Sequence, residues 1–331
     1  MKRKEFLKLL AGGMGGATIA RFPREMSGKS QGLGQGLLIE SNWRNFPEKK
    51  LAESAGDSTG SKIPRYQELG RTGLRVSTIG FGVSRTMEPA LVMAVMEAGI
   101  NFMDTGRSYF RGQNEVMVGK VIGSRRKEVV IQSKLRVNLT EAQLISREDI
   151  NRALKQMEDS LAASLQALNT DYIDIMLIHG AEEVAVVHHP EIMKFFEEKK
   201  TKGIIRAHGF STHLNQVELV KAENEVRFYD VIMTTYNHKG AYVHMNTGRR
   251  SSWDQKALES ELRKAREMGG GLVAMKTCSG GPYAPSPEVK PGYAEALRWI
   301  MRRGVVHTMA VAMASHEQIR ENLRAWEEGT L

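Results

Sequence analysis

The 331-residue chain contains one cysteine, Cys278. A single thiol cannot close an intrachain disulfide, ligate an iron–sulfur cluster alone or build a cysteine-rich zinc site. It is read as a small buried loop residue rather than a nucleophile. No run of 18 apolar residues occurs, so no helix of the chain is expected to span a membrane. Aromatic residues make up only 7% of the chain, and basic clusters interleaved with them are missing from residue 66 onward. Nucleic acid is therefore not an expected partner. A G-x-G-x-x-G phosphate loop is also missing. The run Gly32-Leu33-Gly34-Gln35-Gly36 has the wrong spacing and no strand before it. No His, Cys or carboxylate cluster at metal-ligand spacing stands out either.

The formal charge of +9 is unevenly distributed. Residues 1–65 hold 12 Lys and Arg against 6 Asp and Glu, whereas the remainder is close to balanced at 35 against 32. Residues 1–20 read as an export signal, with Lys2, Arg3, Lys4 and Lys8 ahead of a weakly apolar, glycine-rich stretch. The segment Arg3-Lys4-Glu5-Phe6-Leu7-Lys8 is similar to a twin-arginine motif with lysine in the second place. Periplasmic export of the folded protein is the expectation, with a cytoplasmic protein bearing a basic tail as the alternative. Residues 21–65 read as a flexible linker, rich in Gly, Ser, Lys and Glu.

From residue 66 to 331, short β-rich runs alternate with helical patterns, which predicts parallel strands joined by crossover helices. An opening hairpin over Tyr66–Leu74 precedes predicted strands at Val76–Gly82, Asn101–Asp104, Val129–Lys134 and Ile173–His179. Four more are predicted at Ile204–Phe210, Val231–Tyr236, Leu272–Met275 and Thr308–Ala312. Ile150, Leu154, Met157, Leu161 and Leu165 mark one helical face between them. Eight units close a (β/α)8 barrel, an α/β fold whose active sites lie at the carboxyl ends of the strands.

Polar residues close three successive apolar runs: Asp104, Lys134 and His179. Tyr109 follows Asp104 by five residues, close enough for its ring to fold back over the mouth. A phenol of ordinary pKa near 10 is a poor acid at neutral pH, and an adjacent ammonium is expected to lower it. Asp104 would balance that ammonium, and a neutral His179 would orient a carbonyl oxygen. Hydride must come from a cofactor, since no side chain supplies one.

Several stretches resemble the aldo-keto reductase family. Gly99-Ile100-Asn101-Phe102-Met103-Asp104-Thr105, followed by Tyr109, Glu115 and Gly119, is similar to its opening signature. Ile131-Gln132-Ser133-Lys134 and Asp171–His179 are similar to its lysine and histidine motifs, and Leu69–Ser77 to its usual start. The resemblance spans residues 66–326. It implies a barrel that reduces an aldehyde or ketone with NADPH, Tyr109 donating the proton and Lys134, Asp104 and His179 assisting.

The same resemblance places the cofactor. Ser211 and Thr212 stand where the family holds the carboxamide, and Tyr236 where it stacks the nicotinamide. Lys276 and Gly280 lie in a loop read as giving backbone amides to the pyrophosphate, with an ordinary flexible turn as the alternative, and Ser315, Arg320 and Asn322 lie in the segment for the adenosine phosphate. Thr212 and Met233 replace the usual asparagine and glutamine. Ala312 and Gln318 replace the usual cations, so NADH is an expected second cofactor. The loop from Asn237 to Trp253 carries Arg249 and Arg250, read as a solvated basic turn with attraction of an acidic substrate as the alternative. His188-His189 is read as a surface pair without a partnering carboxylate. The competing function is a nucleotide-binding regulatory or scaffold protein on the same barrel, with little turnover.

Overall fold

The short apolar runs become strands that pair in chain order until the last meets the first. The structure, a computed structural model, describes residues 65–244, 248 and 250–327. The expected export segment, 1–20, and the linker up to residue 64 lie outside the described residues.

An antiparallel hairpin, β1 (Tyr66–Glu68) with β2 (Arg75–Ser77), comes first. Eight parallel strands then close a barrel: β3 (Ile79–Gly82), β4 (Phe102–Asp104), β5 (Val130–Leu135), β6 (Ile173–His179), β7 (Ile205–Thr212), β8 (Val231–Thr235), β11 (Gly271–Met275) and β12 (Thr308–Ala312). The first predicted strand is divided at Thr78, because Arg75–Ser77 belongs to the hairpin. A second hairpin, β9 (Ala241–Val243) with β10 (Arg250–Ser252), rises from the loop after β8.

The helices are α1 (Pro89–Glu97), α2 (Gln113–Ile122), α3 (Arg147–Leu168), α4 (Val184–Val187), α5 (Pro190–Thr201), α6 (Gln216–Val226), α7 (Gln255–Glu267), α8 (Tyr293–Arg303) and α9 (His316–Glu327). Among the described residues no helix is long and apolar enough to cross a membrane. In α3, Ser146 caps the first turn by accepting from the Asp149 amide, and Asn169 ends the helix in the left-handed region at φ 50°. Its buried stripe is Ile150, Ala153, Met157, Leu161 and Leu165; Leu154 stays half-buried at the edge.

Alternation decides what fills the barrel. Phe102, Val130, Ile175, Leu177, Ala207, Val231, Met233, Val273, Met275 and Ala310 form one interior cluster, joined by Leu69, Leu74 and Val76 of the hairpin. The hairpin therefore plugs the amino-terminal end of the barrel. Apolar packing from that side leaves the polar ends of β4, β5 and β6 at the opposite mouth.

Candidate active site

The inward alternation that buries Phe102 also turns Asp104 inward, and Gln132 and Lys134 follow Val130 in the same way. Register pairs Asp104 with Gln132, and Lys134 with Leu177, so the polar ends of β4, β5 and β6 lie side by side. Lys134 is buried, and its Nζ donates to Asp104 Oδ1 at 2.5 Å and to the Thr105 carbonyl at 2.8 Å. The Tyr109 hydroxyl lies 3.2 Å from the same nitrogen. The Tyr109 and His179 rings meet edge to face with centroids 5.7 Å apart. Asp104 and Tyr109 thus meet on the Lys134 ammonium, and His179 packs against Tyr109.

Their electrostatics differ from the expectation in one respect. Burial pushes the Tyr109 phenol up, and the opposing pull of Lys134 does not overcome it. The expected lowering is therefore reversed, and the phenol keeps its proton at neutral pH. Burial alone would lower Lys134, but Asp104 and Tyr109 outweigh it and hold the ammonium charged. His179 is lowered to about 3, first by burial and then by Lys134 and Arg136, so its ring is neutral. Ser108 Oγ lies 3.2 Å from His179 Nδ1 and fixes that end of the ring.

The loop that brings Tyr109 back is unusual. Phe110 and Arg111 are left-handed at φ 47° and 53°, followed by Gly112 at φ 84°. Arg107 anchors the turn by donating to buried Glu115 at 2.6 Å, and Glu115 also accepts from Ser133 Oγ at 2.6 Å. A Cβ on Gly112 would collide with the Arg107 guanidinium, so glycine makes room for that anchor. Sequence reasoning gave Arg107, Ser133 and Gln132 no role. Gln132 Nε2 donates to Asp104 Oδ1 at 2.6 Å and approaches Met233 Sδ at 3.3 Å, so it helps fix the carboxylate. Its place between Ile131 and Ser133 in the lysine motif was the available signal.

The family model that matches residues 81–241 is that of the aldo/keto reductase family. The uncharacterized oxidoreductase YrpG of Bacillus subtilis is 30% identical over 234 residues, which is 65% of this chain and 67% of YrpG. The chain belongs to the aldo-keto reductase family. The uncharacterized oxidoreductase YqkF of the same species is 25% identical over 282 residues, 79% of this chain and 90% of YqkF. Among solved structures, an aldo-keto reductase from Bacillus halodurans in its holo form superposes with a TM-score of 0.63 at 24% identity. It covers 81% of this chain and 92% of that one.

For an aldo-keto reductase, the residues expected to meet the nicotinamide are placed unexpectedly. Tyr236 is fully buried, donates to Glu259 Oε1 at 2.6 Å and lies 5.6 Å from the Trp299 ring. Its phenol is turned outward between α7 and α8 and presents no face to the mouth. The reason is position: it follows inward-facing Thr235 and takes the outward side. Thr212 is also buried, its hydroxyl donating to the Leu214 carbonyl within its own turn. Ser211 bridges the ends of β6 and β7, donating to the Ile178 carbonyl at 3.1 Å and accepting from the Gly180 amide at 3.2 Å.

The phosphate side is more open. Lys276, at φ 59°, makes no ion pair among the described residues and lies over the Tyr242 ring at 5.7 Å. It is lowered by burial and by the charges of Arg85 and Lys134. A half-buried cation crowded by other cations fits a diphosphate, which would relieve both. Gly280 is packed against Asn237 and His238, where a Cβ would lie 2.9 Å from Asn237 Oδ1. Ser315 caps α9 by accepting from the Gln318 amide at 3.2 Å, Asn322 is buried, and Arg320 is exposed.

Two further readings change. His188 is not a bare surface residue, because its Nε2 lies 2.9 Å from Glu223 Oε2 on α6. His189 caps α5 by accepting from the Glu191 amide. Cys278 is half-buried, and burial pushes its thiol up to about 11, so it is no thiolate nucleophile.

Proposed function

We propose that this chain reduces an aldehyde or ketone at the barrel mouth, with Tyr109 as proton donor and NADPH, or NADH, as the hydride source. The supporting observation is the Lys134 ammonium held between Asp104 Oδ1 and the Tyr109 hydroxyl, beside a neutral His179. A carbonyl oxygen next to Tyr109 would accept its proton as negative charge develops there. Lys134, fixed by Asp104, stabilises the phenolate left behind, and Gln132 keeps Asp104 in place. His179 carries no charge to repel or bind the substrate, so it can donate one hydrogen bond to the oxygen and orient it. The nicotinamide ring, when bound, supplies the hydride. Lys276, Arg320, Ser315 and Asn322 are the residues proposed to hold the dinucleotide, with Ser211 and Gly280 shaping the walls around it.

The test follows NADPH and NADH oxidation with a simple aldehyde in wild type and in Tyr109→Phe. The variant is expected to lose about 10²–10⁴-fold in kcat while its cofactor Kd changes by less than about threefold. Wild-type turnover in the variant would remove Tyr109 from the proposed role. A second reading, nucleotide binding with little turnover, is favoured by the engaged hydroxyls of Ser211, Thr212 and Tyr236. Tight cofactor binding without reduction of any aldehyde would select it.

A further inference from the structure

We propose that the carbonyl compound reduced here carries a carboxylate, and that Arg136 receives it. This rests on the reductase reading above and names its substrate class. The last registered pair between β5 and β6 is Leu135 with Ile178, so Arg136 stands beside His179 one position further on. Neighbouring strands run about 4.8 Å apart, which puts the two residues next to each other at the rim. The alternation that turns Gln132 and Lys134 inward gives Arg136 the same side of the strand. Its side chain is exposed, and among the described residues it has no ion pair or hydrogen bond.

Cations gather around His179. Lys134 and Arg136 are the charged groups acting most on it, followed by His213 and Lys276. His213, half-buried at the end of β7 with its ring 6.1 Å from Tyr242, has Lys276, Lys134 and Arg136 among its charged neighbours. Both histidines are neutral, so neither adds to this charge or cancels it. Asp104 is taken up by Lys134 and Gln132, and Glu183, in the loop after β6, accepts from the Glu141 amide. Arg107 is already neutralised by Glu115.

The cofactor's diphosphate does not account for Arg136. Lys276 follows β11 and Arg136 follows β5, and these strands lie four places apart in a ring of eight. The two cations therefore stand on opposite sides of the mouth. A diphosphate on Lys276 leaves Arg136 bare, next to the position where the carbonyl meets Tyr109 and His179. A guanidinium there matches a carboxylate through two parallel hydrogen bonds. The acid group must sit within a few bonds of the carbonyl.

The experiment compares 4-carboxybenzaldehyde with its methyl ester, whose aldehyde is intrinsically at least as reactive. A preference for the acid therefore reports binding. The ratio of kcat/KM, acid over ester, is expected to reach about tenfold or more at low salt and to fall as ionic strength rises. In Arg136→Gln it should collapse to within about threefold, mainly through the KM of the acid. A wild-type ratio near one, or a high ratio that survives in Arg136→Gln, overturns the proposal. Calorimetric binding of terephthalate to wild type and variant gives a readout independent of turnover. Reduction of both aldehydes without Arg136-dependent terephthalate binding removes the anion site and keeps the reductase. Terephthalate binding that depends on Arg136, with neither aldehyde reduced, keeps the anion site and removes the reductase.

Discussion

At the residue scale, the site depends on a few side chains whose charges are forced by what surrounds them. Asp104 and Tyr109, facing Lys134 inside the barrel, outweigh its burial and favour the charged form. The same burial keeps Tyr109 protonated, as the proposed proton donor must be. The Tyr109 turn depends in turn on Gly112, which is left-handed and leaves space for Arg107. Gly112→Ala would impose an unfavourable φ and drive the guanidinium off Glu115. A stability loss of about 1–3 kcal/mol is expected. The variant should also lose about tenfold or more in kcat at unchanged cofactor Kd, because Tyr109 is no longer held to Lys134. Denaturant unfolding and steady-state kinetics check the two parts separately. Wild-type kcat in a destabilised variant would show that the Arg107 anchor does not position the tyrosine.

At the scale of elements, the proposed cofactor choice rests on α9 and the strand before it. Ala312, at the end of β12, carries no charge, and Gln318 accepts from the Ala314 amide at 2.7 Å, tying its carbonyl to the start of the helix. Neither supplies the cation that a 2′-phosphate normally meets. A missing charge-assisted hydrogen bond costs about 1.5–3 kcal/mol, or roughly one to two orders of magnitude in affinity. The preference for NADPH over NADH, read as a ratio of dissociation constants, is therefore expected to stay below about a hundredfold. Arg320, exposed on α9 and without an ion pair among the described residues, is the alternative cation. A preference above about a thousandfold that disappears in Arg320→Ala would show the phosphate resting there.

For the molecule as a whole, buried neutral histidines set the response to acid. His179, His213 and His307 are each lowered to about 3, burial being the largest cause in every case. His307 accepts from the Leu272 amide at 3.0 Å through Nδ1, which requires an unprotonated nitrogen. Between pH 6.5 and about 3 the unfolded chain binds protons at these rings that the folded chain does not. Their contribution is fully present above 6.5 and is lost as pH falls through that window. Each can contribute up to about 1.4 kcal/mol per pH unit. Glu115, raised by burial, acts in the opposite sense, while His208 and His238, also lowered by burial, add to the three. Unfolding free energies at neutral and mildly acidic pH should show a falling stability, with a shallower slope in His307→Asn. A flat profile would contradict the neutral assignments.

The repeat of strand and helix, and the placing of Asp104, Lys134 and His179 at strand ends, were legible in the sequence because alternation and strand length are local properties. β6 and β12 fall where the pattern puts them, at Ile173–His179 and Thr308–Ala312. Tertiary structure decided the remainder, since it depends on groups distant in the chain. The sign of the Tyr109 shift is a contest between burial and Lys134, 25 residues away. Tyr236 turns outward because Glu259 and Trp299 receive it, and His188 finds Glu223 35 residues later. Arg136 stands beside His179 only because two strands share a register. Local pattern reports which face of a strand a residue takes, and packing alone decides what it meets there.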